Sequence, residues 1–219
     1  MLPSAIKAFS ALVALSGLAH AFPGVRDDPS PEVGPPANYG IVPIEWDIPT
    51  DPAAPDGATV ELTGTIQEVV AKMDQDYPGW NESFHQHMRW TPPSDNTSAV
   101  NIGSANYDVD KLVCTERWED MCFRQHIEDG IYYLMNLPAQ AKPKNGPGPG
   151  NCGRVSCSWG DAIYWCNDNK EDKELNSWDA LGIAAFKIWR ECQYAPLELC
   201  GGQVFYKDNW NVIVKKDNC

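Results

Sequence analysis

Apolar residues dominate the start of the chain from Ala8 to Leu18, broken only by Ser10 and Ser16 and the small Gly17, and farther on they recur at spacings of three and four or alternate with polar ones. Ile66, Val69, Val70 and Met73 share one face of a helix that Thr65 and Glu68 open as a capping box and that Asp76-Tyr77-Pro78-Gly79 ends. Val60-Glu61-Leu62 alternates like a short strand, and Lys111 to Cys114 is another strand candidate. Phe123, Ile127, Gly130, Ile131 and Leu134 place one stripe on a helix predicted over Trp118–Leu137; there Gly130 costs about 1 kcal/mol against alanine unless close packing needs it. Pro138 to Gly150 is a loop. Arg154–Cys157 and Ala162–Cys166 are β-prone and flank Trp159-Gly160-Asp161, which predicts a hairpin. Ser177 can cap a helix with Trp178, Leu181, Ala185, Ile188 and Cys192 on one stripe. Gln203–Lys207 and Trp210–Lys215 flank Asp208-Asn209, a turn compatible with positive φ, and form a second hairpin.

The order strand, helix, two strands, helix, two strands predicts an α+β fold. An antiparallel sheet with two helices on one face, close to a split-βαβ plait and stapled by disulfides, buries both helical stripes with short connections. Residues 111–219 form this cysteine-rich domain. Residues 59–110 are an accessory segment with one short helix, and its polar second half carries two sequons, at Asn81 and Asn96, expected on the surface. Residues 22–58 hold nine prolines, seven acidic residues and one basic residue, Arg26. That composition predicts an extended or disordered arm, because little apolar surface is there to offset the entropy of ordering.

Residues 1–21 have the parts of a secretory signal: a short positive start, the apolar run, and Ala19-His20-Ala21 before the cleavage point. The run is too short to span a bilayer, and no later stretch has the length for it. A secreted, extracellular product with no membrane span is expected. The net charge of −13 disfavours nucleic acid and anionic lipid as partners. An extracellular or host protein, or a neutral glycan, fits better, and the protein is expected to be monomeric.

All eight cysteines, Cys114, Cys122, Cys152, Cys157, Cys166, Cys192, Cys200 and Cys219, lie in the second half of the chain. Zinc sites use close Cys-x-x-Cys pairs with a matching second pair, and these spacings do not repeat that way. An even set in an exported chain predicts disulfides, whose connectivity the sequence leaves open.

Catalytic chemistry finds little footing. Glu128-Asp129, Asp161, Asp168 and Asp172 are carboxylates among 30 acidic residues, with no spacing that singles out a glycosidase pair. Ser156 and Ser158 lack a Gly-x-Ser-x-Gly elbow. His85-Gln86-His87 sits in a polar segment. Cleavage after Ala19 would free His20 to chelate copper with His85, His87 or His126, but a proline-rich arm gives His20 nothing rigid to stand on. No cofactor, metal or catalytic residue is expected. Trp118, Trp178 and Trp189 belong to helices, whereas Trp159 at a hairpin tip and Trp210 after a tight turn are candidate binding residues, with folding back onto the sheet as a core edge the equal alternative for each.

Gly150-Asn151-Cys152-Gly153-Arg154-Val155-Ser156-Cys157-Ser158-Trp159, Ala162 to Asn169, Gly202 to Phe205 and Asp208 to Val214 resemble small cysteine-rich secreted proteins of filamentous fungi. Gly130-Ile131-Tyr132-Tyr133-Leu134 extends the likeness upstream, and Gly64-Thr65-Ile66-Gln67-Glu68-Val69 carries it more weakly. The resemblance implies a killer-toxin-like or effector-type protein and brings no catalytic residue with it. The expected function is therefore that of a secreted non-enzymatic effector, acting by binding a host or competitor component. A cell-wall glycan-binding module is the alternative, and an extracellular enzyme with an unrecognised site the second alternative.

Overall fold

The computed structural model describes residue 35 and residues 39–90, 107–138 and 142–219. The elements run β1 (Gly40–Val42), β2 (Glu45–Pro49), β3 (Thr59–Thr63), α1 (Ile66–Asp76), α2 (Trp80–His87), β4 (Val109–Cys114), β5 (Cys122–Phe123) and α3 (Arg124–Asn136). They continue as β6 (Lys144–Asn145), β7 (Asn151–Ser158), β8 (Asp161–Asn167), β9 (Lys173–Glu174), α4 (Asp179–Glu191), β10 (Gln193–Tyr194), β11 (Leu199–Cys200), β12 (Gly202–Tyr206) and β13 (Trp210–Lys216). The fold is α+β, as expected.

The main sheet has the order β1-β7-β8-β13-β12-β4. Only β1, beside β7, is parallel to its neighbour. From β7 to β4 every adjacent pair is antiparallel, so the sheet is the antiparallel one expected, and β8 and β12, joined through α4, run parallel with β13 between them. Helices α3 and α4 pack against each other over one face, on Val155, Ile163, Trp165, Val204, Val212 and Val214. Gly130 permits this approach. A Cβ there would collide with Ser156 Oγ and lie 2.9 Å from Ile163 Cδ1. Gly182 does the same between the helices, where a Cβ would lie 2.7 Å from Met135 Sδ.

Among the described residues the opposite face carries no helix. Cys152, Cys157, Ala162, Tyr164, Cys166 and Ile213 form a second cluster there, with Tyr39 against it. Cys152–Cys166 bridges β7 and β8 on this side, and Cys157–Cys219 ties the C-terminal tail across it. Tyr164 and Arg154 hold that tail through Asp217. Cys114–Cys192 joins β4 to the end of α4. Six of the eight cysteines are thus joined in three disulfides, and the remaining two, Cys122 and Cys200, are buried opposite each other on β5 and β11.

The arm predicted over residues 22–58 is ordered where it is described beyond residue 39. Trp46 and Ile48 point inward while Glu45 and Asp47 point out. Trp46 stacks on Trp178 at 4.0 Å and donates from Nε1 to the Gly64 carbonyl at 2.8 Å. Pro43 and Pro49 flank this alternation, so the proline count masked a five-residue strand. The partition at 110/111 also falls inside β4, and one hydrophobic core runs from Ile44 to Val214. Residues 1–34, with the expected signal, lie outside the described residues.

Local signals explain most of the remainder. Thr65 and Glu68 form both halves of the capping box that opens α1. Gly79, at φ 86°, turns the chain into α2, a helix the polar composition had hidden, and Trp80 and Phe84 bury its inner face. α3 begins later than predicted, after a turn at Trp118–Asp120 and the short β5. The second hairpin closes through Lys207, Asp208 and Asn209, with Asn209 at φ 58°, a left-handed position that asparagine tolerates.

Candidate functional site

The β7–β8 hairpin closes on Trp159 and Gly160, at φ 55° and 84°. Two successive positive φ values define the turn whose twist matches a hairpin, and Asn-Gly is the pair that fits it with least strain. A bulky side chain at the first position costs on the order of 1 kcal/mol or more. Trp159 is nevertheless 83% exposed, so burial does not offset that cost.

The turn is held firmly from below. Ser158 and Asp161 face each other as the closing pair, and the Asp217 N–H donates to the Gly160 carbonyl at 3.0 Å. Cys157, two residues before Trp159, is bonded to Cys219. Asp161 is only 3% exposed, and its Oδ2 accepts from the Phe123 N–H at 3.0 Å and from His126 Nδ1 at 2.7 Å. A carboxylate only accepts, so this contact places the His126 proton on Nδ1. The His126 ring lies 5.4 Å from Phe123 and 6.4 Å from Trp159 between centroids, and Phe123 is 51% exposed. Three rings thus cluster at this end of the molecule, and one buried carboxylate holds the Phe123 backbone and the His126 ring.

Beside them lies a groove of about 470 Å³, lined by Gln67 of α1, His85 of α2, Glu128, Asp129, Tyr132 and Tyr133 of α3, and Ser158 of β7. Gln67 clamps α1 to the hairpin, donating to Ser156 Oγ at 2.7 Å and accepting from the Cys157 N–H at 3.0 Å. Partial burial raises the Glu128 carboxyl above its usual range, with Asp129 adding to the effect and Arg124 opposing it. Burial likewise raises Asp129, against the pull of His126. Tyr133 is raised by burial and then by Asp129. No lysine or arginine lines the groove among the described residues, so it presents hydroxyls, an imidazole and acid to whatever enters.

Trp210 is no part of such a surface, contrary to the expectation. It is 0% exposed, stacked on Tyr206 at 3.9 Å, with Nε1 donating to Asp208 Oδ1 at 2.7 Å. As the first residue of an inner strand it points to the helix-covered side, where Val212 and Val214 follow it. Asn81 lies in the first turn of α2, half-buried, with Oδ1 accepting from the Tyr133 hydroxyl at 3.4 Å, whereas its sequon predicted a surface position; Asn96 lies outside the described residues. His85 and His87 are on a helix and separate: His85 lines the groove, and His87 Nδ1 lies 2.7 Å from the Ser83 carbonyl. Asp168 is occupied by the Tyr39 hydroxyl and Asn211 Nδ2. Among the described residues no group of three His, Cys, Asp or Glu could hold a metal ion.

The pairing of His126 with Asp161 and the arrival of Phe123 were missed in the sequence. Asp161 was visible as the end of a turn and as one carboxylate among 30 acidic residues, and Phe123 as a helix position. Their meeting depends on β5 lying against β11 and on α3 starting there. No protein-family model, curated protein or solved structure matches this chain.

Proposed function

We propose that this is a secreted, non-enzymatic binding protein of the effector or toxin-like kind, which engages a host or competitor protein through the Trp159 tip. The observation that carries the reading is a fully presented tryptophan kept at a backbone position that asparagine or glycine fills with less strain. Large aromatic anchors supply much of the energy at protein interfaces, and a rigid anchor loses little entropy on docking. The turn, the Cys157–Cys219 bond and the Asp161 contacts provide that rigidity. The adjoining acidic groove favours a partner whose apolar pocket is rimmed by lysine or arginine.

Three disulfides suit an extracellular setting, and no helix among the described residues is long and apolar enough to cross a membrane. The resemblance to small secreted fungal proteins points the same way. The test is quantitative capture from extracellular fluid of host and competitor cultures, with the wild type and Trp159→Asn as parallel baits. A protein retained at least about 30-fold better by the wild type is expected, the loss typical of a hot-spot aromatic. Equal retention of every protein by both baits would overturn the reading. Retention of the wild type on insoluble chitin or glucan, lost in the variant, would replace it with the glycan-binding alternative.

A further inference from the structure

We propose that Cys122 and Cys200 close a fourth disulfide across the β5–β11 ladder, and that this bond pins the strand carrying Phe123. The two residues are direct partners in an antiparallel pair, so their side chains leave the same face. Two positions along, the Arg124 N–H donates to the Glu198 carbonyl at 2.9 Å. Hydrogen-bonded and non-bonded pairs alternate along such a ladder, which puts Cys122 and Cys200 in the hydrogen-bonded class, with Cα atoms about 5.5 Å apart. A disulfide spans that separation without moving the backbone. Both residues are fully buried and face no other cysteine partner, since the other six are bonded to one another.

The ladder needs such a bond. Strands β5, β10 and β11 are two residues each, too short to persist on main-chain hydrogen bonds alone. Yet β5 holds Phe123 with its N–H on Asp161, the carboxylate that also orients His126. In closing the bond each Sγ gives up a proton, the sulfurs join, and two electrons pass to the disulfide of a thiol oxidoreductase, which leaves as the dithiol. The step belongs to folding, before the site is covered. Burial pushes the Cys200 thiol up to about 12 and raises Cys122 further, with Asp161 and Cys200 adding to the effect. Exchange requires thiolate, so the folded site neither closes nor reopens the bond readily.

The inference depends on an oxidising export route and is independent of what Trp159 binds; its failure would leave the partner reading standing. The full chain, secreted from an expression host, is denatured without reductant, treated with iodoacetamide and weighed before and after reduction. The expected result is no alkylation, a mass eight hydrogens below the reduced form, and a digest fragment linking Cys122 to Cys200. Two carbamidomethyl groups at these positions, or either cysteine linked elsewhere, would overturn the pairing. In the double variant Cys122→Ala/Cys200→Ala, amide exchange at Phe123 should quicken at least about 10-fold while the β8–β13 core keeps its protection. An unchanged Phe123 rate would overturn the pinning role.

Discussion

Trp159 and the carboxylates beside it are positions where the side chain present works against the stability of the fold. Trp159→Asn replaces an exposed ring by a residue suited to φ 55°, and it should raise unfolding stability by about 1 kcal/mol while abolishing capture. Urea denaturation reads the first effect. A stability loss would mean that Trp159 is structural after all. Glu128 and Asp129 carry the same logic in pH. Burial raises both carboxyls, so the folded state holds their protons more tightly than the unfolded chain does. Their contribution is most favourable below the usual carboxylate range and declines as pH rises through the raised values. Glu128→Gln with Asp129→Asn should therefore stabilise the protein at neutral pH, by less than about 1 kcal/mol after solvent screening, and change nothing near pH 3. Denaturation midpoints at the two pH values check the sign.

Between elements, fit is decided by a few close approaches. Gly130 lets α3 lie on β7 and β8 where a methyl group would meet Ser156 and Ile163. Gly130→Ala gains helix propensity yet should cost about 1–3 kcal/mol net, because overpacking outweighs it. Thermal unfolding measures the balance, and a stabilised variant would show that the helix can slide outward freely. The β2–β3 hairpin is tied to α4 by the stacking of Trp46 on Trp178. Trp46→Ala should cost about 3–5 kcal/mol, as removal of a buried tryptophan does in a close-packed core. A loss near zero, read by the same unfolding experiment, would return residues 40–49 to the status of a dispensable arm.

Across the whole molecule, the division between what was legible and what was hidden follows the range of the forces involved. The capping box at Thr65, the buried stripe from Trp178 to Cys192 and both C-terminal hairpins were readable, since each depends on neighbours within a few residues. The turn at Trp159 was readable too, because a turn position announces itself locally, whereas the exposure of its ring was not. The strand at Glu45–Pro49 was hidden by prolines at its borders, and its order comes from a tryptophan more than a hundred residues away. Trp159 and Trp210 looked alike beside their turns. One lies in the loop and the other starts a strand facing the helices, a difference set by which side of the sheet is covered. The sequence by itself determined the period of α1, of the helical stripes of α3 and α4 and of the two C-terminal hairpins, the α+β class and the richness in cysteine. Tertiary structure alone decided which strands are neighbours, which cysteines meet, and that Phe123, His126 and Asp161 form one site, since such contacts join residues whose proximity no local periodicity encodes.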